Sequence, residues 1–334
     1  MTSTIAGYAA LKIAIALTGL CLSAALLFVR LTRVNQFSLG KRMNWAAPPG
    51  ENYDQAAFRL WYPAGIPSVR GVVVLVPGSN QDGRSQIEDE QWRALAIRHN
   101  LALIGCYLSD KPHPDMRVEA YVDVSRGSGD ALLDALSELG RRLSHPELAS
   151  APLLLWGMSA GGEFNYEFAA WKPDRVAGFV VNKGGVYYSD LLPPESRRVP
   201  GLFFVGGNDL QYRQDAIRRI FQINHEAGAS WTLIEEPEAG HEIGKSKEIA
   251  QSFFASVMAP ASPGDGTGPN IRKLTPAGSP SIRLATPLAV SSSNNPHRSP
   301  LRAAAGSGCL VAAPHSSCRR QAGRVDTHNA GHSR

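Results

Sequence analysis

The sequence predicts an α/β protein, built on a mostly parallel central sheet with helices on both faces. Two observations carry this. Between residues 43 and 259, apolar runs of strand length alternate with longer stretches of helical periodicity. Several of those runs, GVVVLVPG (71–78) and PLLLWG (152–157) among them, show no polar alternation, as strands covered on both faces require.

The expected strands are 57–63 (AFRLWYP), 71–78, 101–107 (LALIGCY), 152–157, 176–181 (VAGFVV), 201–206 (GLFFVG) and 231–236 (WTLIEE). Helical patterns fall at 86–98, 129–143, 160–171, 211–227 and 244–258. In the second of these, Leu132, Leu133, Leu136 and Leu139 share one helical face. Strand–helix alternation implies parallel pairing with right-handed crossovers.

The 334 residues are 43% hydrophobic and 19% charged, which is ordinary globular composition. A domain of roughly 200 residues buries a sufficient core without staples. Of the four cysteines only Cys106 lies in the expected domain, so no disulfide holds it; Cys309 and Cys318 could pair in the tail. No CxxC or similar spacing suggests a metal, and no cofactor is implied.

The net charge is +5, yet it is unevenly placed. Residues 1–42 carry five basic and no acidic residues, and 260–334 carry nine basic against Asp265 and Asp326. That leaves 20 basic and 27 acidic residues in 43–259. An acidic domain has no electrostatic footprint for a phosphate backbone, so a nucleic-acid partner is not expected.

Residues 13–29 form an uncharged run, IAIALTGLCLSAALLFV, between Lys12 and the pair Arg30 and Arg33. Its length is at the short end for a membrane span and somewhat long for the core of a cleaved signal. Segment 1–42 is therefore expected to be a membrane anchor with its linker, or else a signal removed on export. The basic residues after the run favour a cytoplasmic domain, whereas export needs the opposite bias, so the side of the membrane stays open. Residues 260–334 are rich in Pro, Ser, Gly, Ala and Arg and lack aromatics; this tail is expected to be disordered.

The strongest chemical signal is Gly157-Met158-Ser159-Ala160-Gly161-Gly162, directly after an apolar strand and at the start of a helix. A serine on so sharp a turn holds its hydroxyl clear of the sheet. Flanking side chains would clash with the neighbouring strand and helix, hence Gly157 and Gly161. The helix N-terminus adds a positive field beneath the hydroxyl.

A serine hydroxyl needs a base, and the base needs an orienting acid. Downstream of Ser159 the domain holds two histidines. His225 falls late in a helix and is expected on a surface; His241 sits in a loop just after the last strand. Asp209 follows the strand GLFFVG in a Gly207-Asn208-Asp209 turn, where it could also cap the next helix. Asp190, Glu235 and Glu236 are its rivals. After the strand at 71–78, Pro77-Gly78-Ser79-Asn80 makes a loop able to turn an amide outward.

Over residues 57–258 these motifs resemble the α/β-hydrolase superfamily, and within it small single-domain esterases and depolymerase-type hydrolases. The resemblance implies Ser159 as nucleophile, His241 as base and Asp209 as acid, in the superfamily's order along the chain. It implies an oxyanion hole from the amides of Ala160 and Ser79. Many relatives carry His-Gly at that loop, and this chain departs from them with Pro77-Gly78-Ser79. The connection 182–200 is too short for a large lid, so the site should be open, with Tyr187 and Tyr188 as lining or as packing.

The implied function is cleavage of an ester or related acyl bond, in a small molecule or a polymer, through an acyl-enzyme. The same triad serves thioesterases, peptidases and acyltransferases. A non-catalytic binding protein on the same fold is the alternative outside catalysis.

Overall fold

A computed structural model describes residues 40–115 and 118–259, together with the backbone of residues 283 and 284. The apolar run 13–29 and nearly all of the tail lie outside those residues. Among the described residues no helix is long and apolar enough to cross a membrane.

One sheet organises the chain, in the order β1-β2-β4-β3-β5-β6-β7-β8-β9. Strands β1 (Gly40–Ala47) and β2 (Gln55–Pro63) enter antiparallel. Strands β3 (Gly71–Val76), β4 (Leu101–Ser109), β5 (Leu153–Gly157), β6 (Val176–Asn182), β7 (Gly201–Gly206) and β8 (Trp231–Glu236) are mutually parallel. All seven expected strands are present. β1 was not expected: it is a half-buried edge strand, and the sequence boundary at 42/43 cuts through it. A two-residue strand, β9 (Arg283–Leu284), pairs antiparallel with β8.

The helices are α1 (Glu90–His99), α2 (Ser128–Leu143), α3 (Ala160–Trp171), α4 (Pro194–Arg198), α5 (Gln211–Glu226) and α6 (Ser246–Val257). The pattern at 86–98 resolves into a short 3-10 turn, Arg84–Glu88, followed by α1. Asp89 separates them, its side chain accepting the amides of Gln91 and Trp92 at the N-cap. Asn100, left-handed at φ 55°, ends the helix.

Alternate residues of β3 explain its unbroken apolar sequence. Val72, Val74 and Val76 join the core built with Leu132 and Leu136 of α2, Phe164 of α3 and Ile217 of α5. Val73 and Leu75 join the opposite core, with Trp92 of α1 and Phe253 and Phe254 of α6. Both faces are dry, so a polar residue on either would be buried without a partner.

At the centre of the first core lies Phe203 of β7. It is fully buried, with Tyr166, Phe179, Phe221 and Trp231 at ring-centroid distances of 5.1 to 6.3 Å. These rings meet mostly edge to face, a geometry that adds to simple burial.

The β6–β7 connection contains only the five-residue α4, as its length implied. Two glutamates one turn apart on α3 hold it down. Glu163 accepts the amides of Gly185 (2.5 Å) and Val186 (3.0 Å). Glu167 accepts the amides of Tyr188 and Ser189 and the Ser189 hydroxyl. Burial raises the Glu167 carboxyl and lifts that of Glu163 from 4.5 to about 7, against the opposing pull of the amides.

Two expectations follow from this packing. Phe203→Ala should cost about 3–5 kcal/mol in unfolding free energy, read from urea titration. The second concerns pH. The folded value of Glu163 lies above its unfolded one, so the folded chain binds that proton more tightly. Its stabilisation is full below pH 4.5 and is lost as pH rises through about 7. Glu163→Gln keeps an amide acceptor and cannot ionise. Between pH 5 and pH 8 the variant should gain on the wild type by up to about 3 kcal/mol, with Glu167 common to both. An unchanged gap across that range would show that Glu163 titrates normally.

Candidate active site

Ser159 stands between β5 and α3 with φ 56° and ψ −127°, a left-handed backbone that a residue with a side chain rarely adopts. Two contacts hold it there. Its amide donates to the Asn182 carbonyl at the end of β6 (2.9 Å), and Met158 bridges to Asn182 in parallel register. The expected crowding is present. A Cβ on Gly161 would lie 2.3 Å from the Val76 carbonyl oxygen, and one on Gly157 would lie 2.3 Å from the Gly161 oxygen.

The amides of Gly161, Gly162 and Glu163 donate back to Met158 and Ser159. Ala160, at the first helical position, has no intrahelical acceptor, so its amide is the one free to meet an anion there. Gly78 borders the serine: a Cβ on it would be 3.8 Å from Ser159 Cβ. In the same loop the Asn80 amide donates to the Tyr121 hydroxyl and the Gln81 amide to the Gly78 carbonyl. The Asn80 side chain accepts the Asp110 amide. Ser79 is exposed at the tip of the loop so fixed.

The structure joins His241 to Asp209. Nδ1 of the imidazole lies 2.8 Å from Asp209 Oδ2. The carboxylate side chain is 2% exposed and the imidazole 31%. Oδ1 of Asp209 accepts the Leu210 amide (2.7 Å), with the Arg213 guanidinium at 3.5 Å. The two loops are laced together by backbone: Asn208 N–H to the Ala239 carbonyl, and Gly207 N–H to the Glu236 carbonyl. Gly207 has no room for a side chain, since a Cβ would meet the Pro237 oxygen at 2.3 Å. The Ser159 hydroxyl and His241 form no hydrogen bond with each other, a contact that commonly tightens only with substrate in place.

The rivals are engaged elsewhere. Asp190 faces Arg219 at the surface, Glu235 pairs with Arg218, and Glu236 pairs with Lys183. His225 is half-buried rather than on the surface, stacked on Phe221. Tyr187 is packing, edge-on to Tyr166, while Tyr188 is 49% exposed. Residues that sequence reading passed over also converge here: Glu163, Glu167, Tyr121, Asn182 and Lys183. Only the polar pair Asn182-Lys183, placed directly after an apolar strand, carried a visible signal. Among the described residues no group of three His, Cys, Asp or Glu could hold a metal ion.

No family model matches the chain, and no curated protein does. Solved structures similar to it include an esterase of Pyrobaculum calidifontis, at 15% identity and TM-score 0.46, covering 68% of this chain and 88% of that one. A ferulic acid esterase matches at 10% identity and TM-score 0.46, covering 66% and 97%. A fluorophosphonate-binding serine hydrolase of Staphylococcus aureus matches at 11% identity and TM-score 0.46, covering 66% and 99%. The chain's own strand order, with the left-handed serine between β5 and α3, is that of the α/β-hydrolase fold.

Proposed function

We propose that this protein is a serine hydrolase that cleaves carboxylic esters or related acyl bonds through an acyl-enzyme. The observation that carries the reading is the contact between the buried Asp209 carboxylate and His241 Nδ1. A carboxylate there fixes the tautomer with a proton on Nδ1, leaving Nε2 basic. Ser159 Oγ attacks the substrate carbonyl and His241 Nε2 takes the hydroxyl proton. The charge on the carbonyl oxygen is met by the amides of Ala160 and Ser79. Collapse of the intermediate expels the alcohol, which receives the proton from His241. Water, deprotonated by the same imidazole, then releases the acid and restores Ser159.

The rim of the site supports a substrate with an apolar part. Among the described residues the exposed large hydrophobic side chains are Tyr188, Leu191, Leu210, Tyr212 and Ile243. All five lie on connections that leave β6, β7 and β8 at the carboxyl edge of the sheet. Their confinement to one edge of the sheet, rather than a scatter over the surface, supports a binding surface there.

A fluorophosphonate probe should label the wild-type chain at Ser159, located by peptide mass, and should not label Ser159→Ala. p-Nitrophenyl esters of graded acyl length should be hydrolysed with a preference for chains longer than acetyl. Asp209→Asn should lower kcat by about 10³–10⁴-fold with the fold retained, since the amide offers the imidazole the wrong partner. A folded wild type that neither takes the probe nor cleaves any ester, thioester or peptide would overturn the assignment.

A further inference from the structure

The loop that bears His241 poses a physical problem. Residues 241–245 are all exposed, and a cleft lined by Glu236, Glu238, Glu242 and Lys245 opens beside them. Apolar packing does not hold this loop, yet the base it carries must stay registered on Ser159. A polar network does the holding. Glu236, the last residue of β8, accepts the Lys245 amide on Oε1 (2.7 Å). The chain turns tightly over that carboxylate at Gly244, φ 57°, where a Cβ would sit 2.6 Å from Oε1.

Glu236 Oε2 lies 2.5 Å from the ammonium of Lys183, and the two side chains are 4% and 0% exposed. Lys183 directly follows β6 in a left-handed conformation, φ 55°, and its ammonium also donates to Asn182 Oδ1 (3.2 Å). Asn182 in turn donates from Nδ2 to the Ile243 carbonyl (3.4 Å) and the Ser246 hydroxyl (2.7 Å). Its own carbonyl accepts the Ser159 amide (2.9 Å). An unbroken path of hydrogen bonds thus runs from the nucleophile's backbone to both flanks of the histidine loop.

We infer that Lys183, Glu236 and Asn182 form a buried strut that sets the distance between Ser159 and His241; they are positioning residues for the hydrolysis proposed above, on which this inference rests. Stability alone does not call for such a strut. Burying two charges costs desolvation that their attraction barely returns, and apolar replacements of buried pairs are often neutral or stabilising. A salt bridge and an amide give instead what an apolar contact cannot: fixed direction and length between two loops.

The test uses the full chain with Lys183→Met/Glu236→Met, which removes both charges together, and with Asn182→Ala, which cuts the strut and leaves the ion pair. The double variant should melt at or above the wild-type temperature. Both variants should nevertheless lose about tenfold or more in kcat and in the rate of fluorophosphonate labelling, with KM within about twofold of wild type, because misplacement of an ångström is enough for such a loss. A purely structural role would lower the melting point and leave kcat of the folded fraction alone. Wild-type kcat in the folded double variant would overturn the strut and leave the hydrolase reading standing. Should the double variant not fold, wild-type kcat in Asn182→Ala would do the same. Failure of the wild type itself to react with the probe or any ester would remove both.

Discussion

The hydrogen bond from the Ser159 amide to the Asn182 carbonyl is the constraint on which the site depends. With the Met158–Asn182 bridge it carries the β5–β6 pairing beyond the last ladder pair, Leu155 with Phe179, into the turn itself. The backbone of Ser159 is thereby held at a positive φ that it would not adopt freely, at a cost of order 1–3 kcal/mol. The surrounding sheet supplies that cost. β5 is central, fully buried and paired on both sides, so the turn at its end cannot relax without disrupting two ladders. Gly157 and Gly161 are the sequence's concession to the same constraint, since the strand, the helix and the β3 loop converge there.

The fold was readable because β3, β5 and β7 are dry on both faces, and dryness on both faces leaves an unbroken apolar run in the sequence. β1 escaped for the complementary reason. As an edge strand with alternating half-buried and exposed positions, it carries Lys41 and Arg42, which read as flanking charge rather than as strand. Ser159 was readable through its glycines, and Asp209 and His241 through their place after β7 and β8. The structural roles of Glu163 and Glu236 were not, because burial of a charge leaves no mark on sequence: only a partner far away in the chain makes it tolerable. Glu236 lay within view as a rival acid. What could not be read was that its carboxylate faces Lys183 and the Lys245 amide rather than His241.

Strain and buried charge are distributed unevenly in this molecule. Five non-glycine residues in the described chain have positive φ: Asn80, Asn100, Ser144, Ser159 and Lys183. Asn100 and Ser144 end helices, where a left-handed residue is ordinary. The other three follow β3, β5 and β6 at the carboxyl edge of the sheet. Buried carboxylates and ammonium groups gather there too: Glu163, Glu167, Lys183, Asp209 and Glu236. Among the described residues, Arg93 is the one buried charged residue that lies elsewhere, stacked over Trp61 on the other side of the strand order.

Nothing in the stability of an α/β sheet asks for this concentration. A chain selected for stability alone would fill these positions with apolar residues and relaxed turns. Each of the costly features instead fixes a loop: Asn80 the loop beside the serine, Glu163 and Glu167 the β6–β7 connection, Asp209 the imidazole, Lys183 and Glu236 the histidine loop. Because these loops follow β3, β6, β7 and β8 at one edge of a single sheet, an error in one would displace the others. A strained rim fixed around one half-buried serine is what preorganised chemistry requires, and it is what a passive binding surface on the same fold would have no reason to keep.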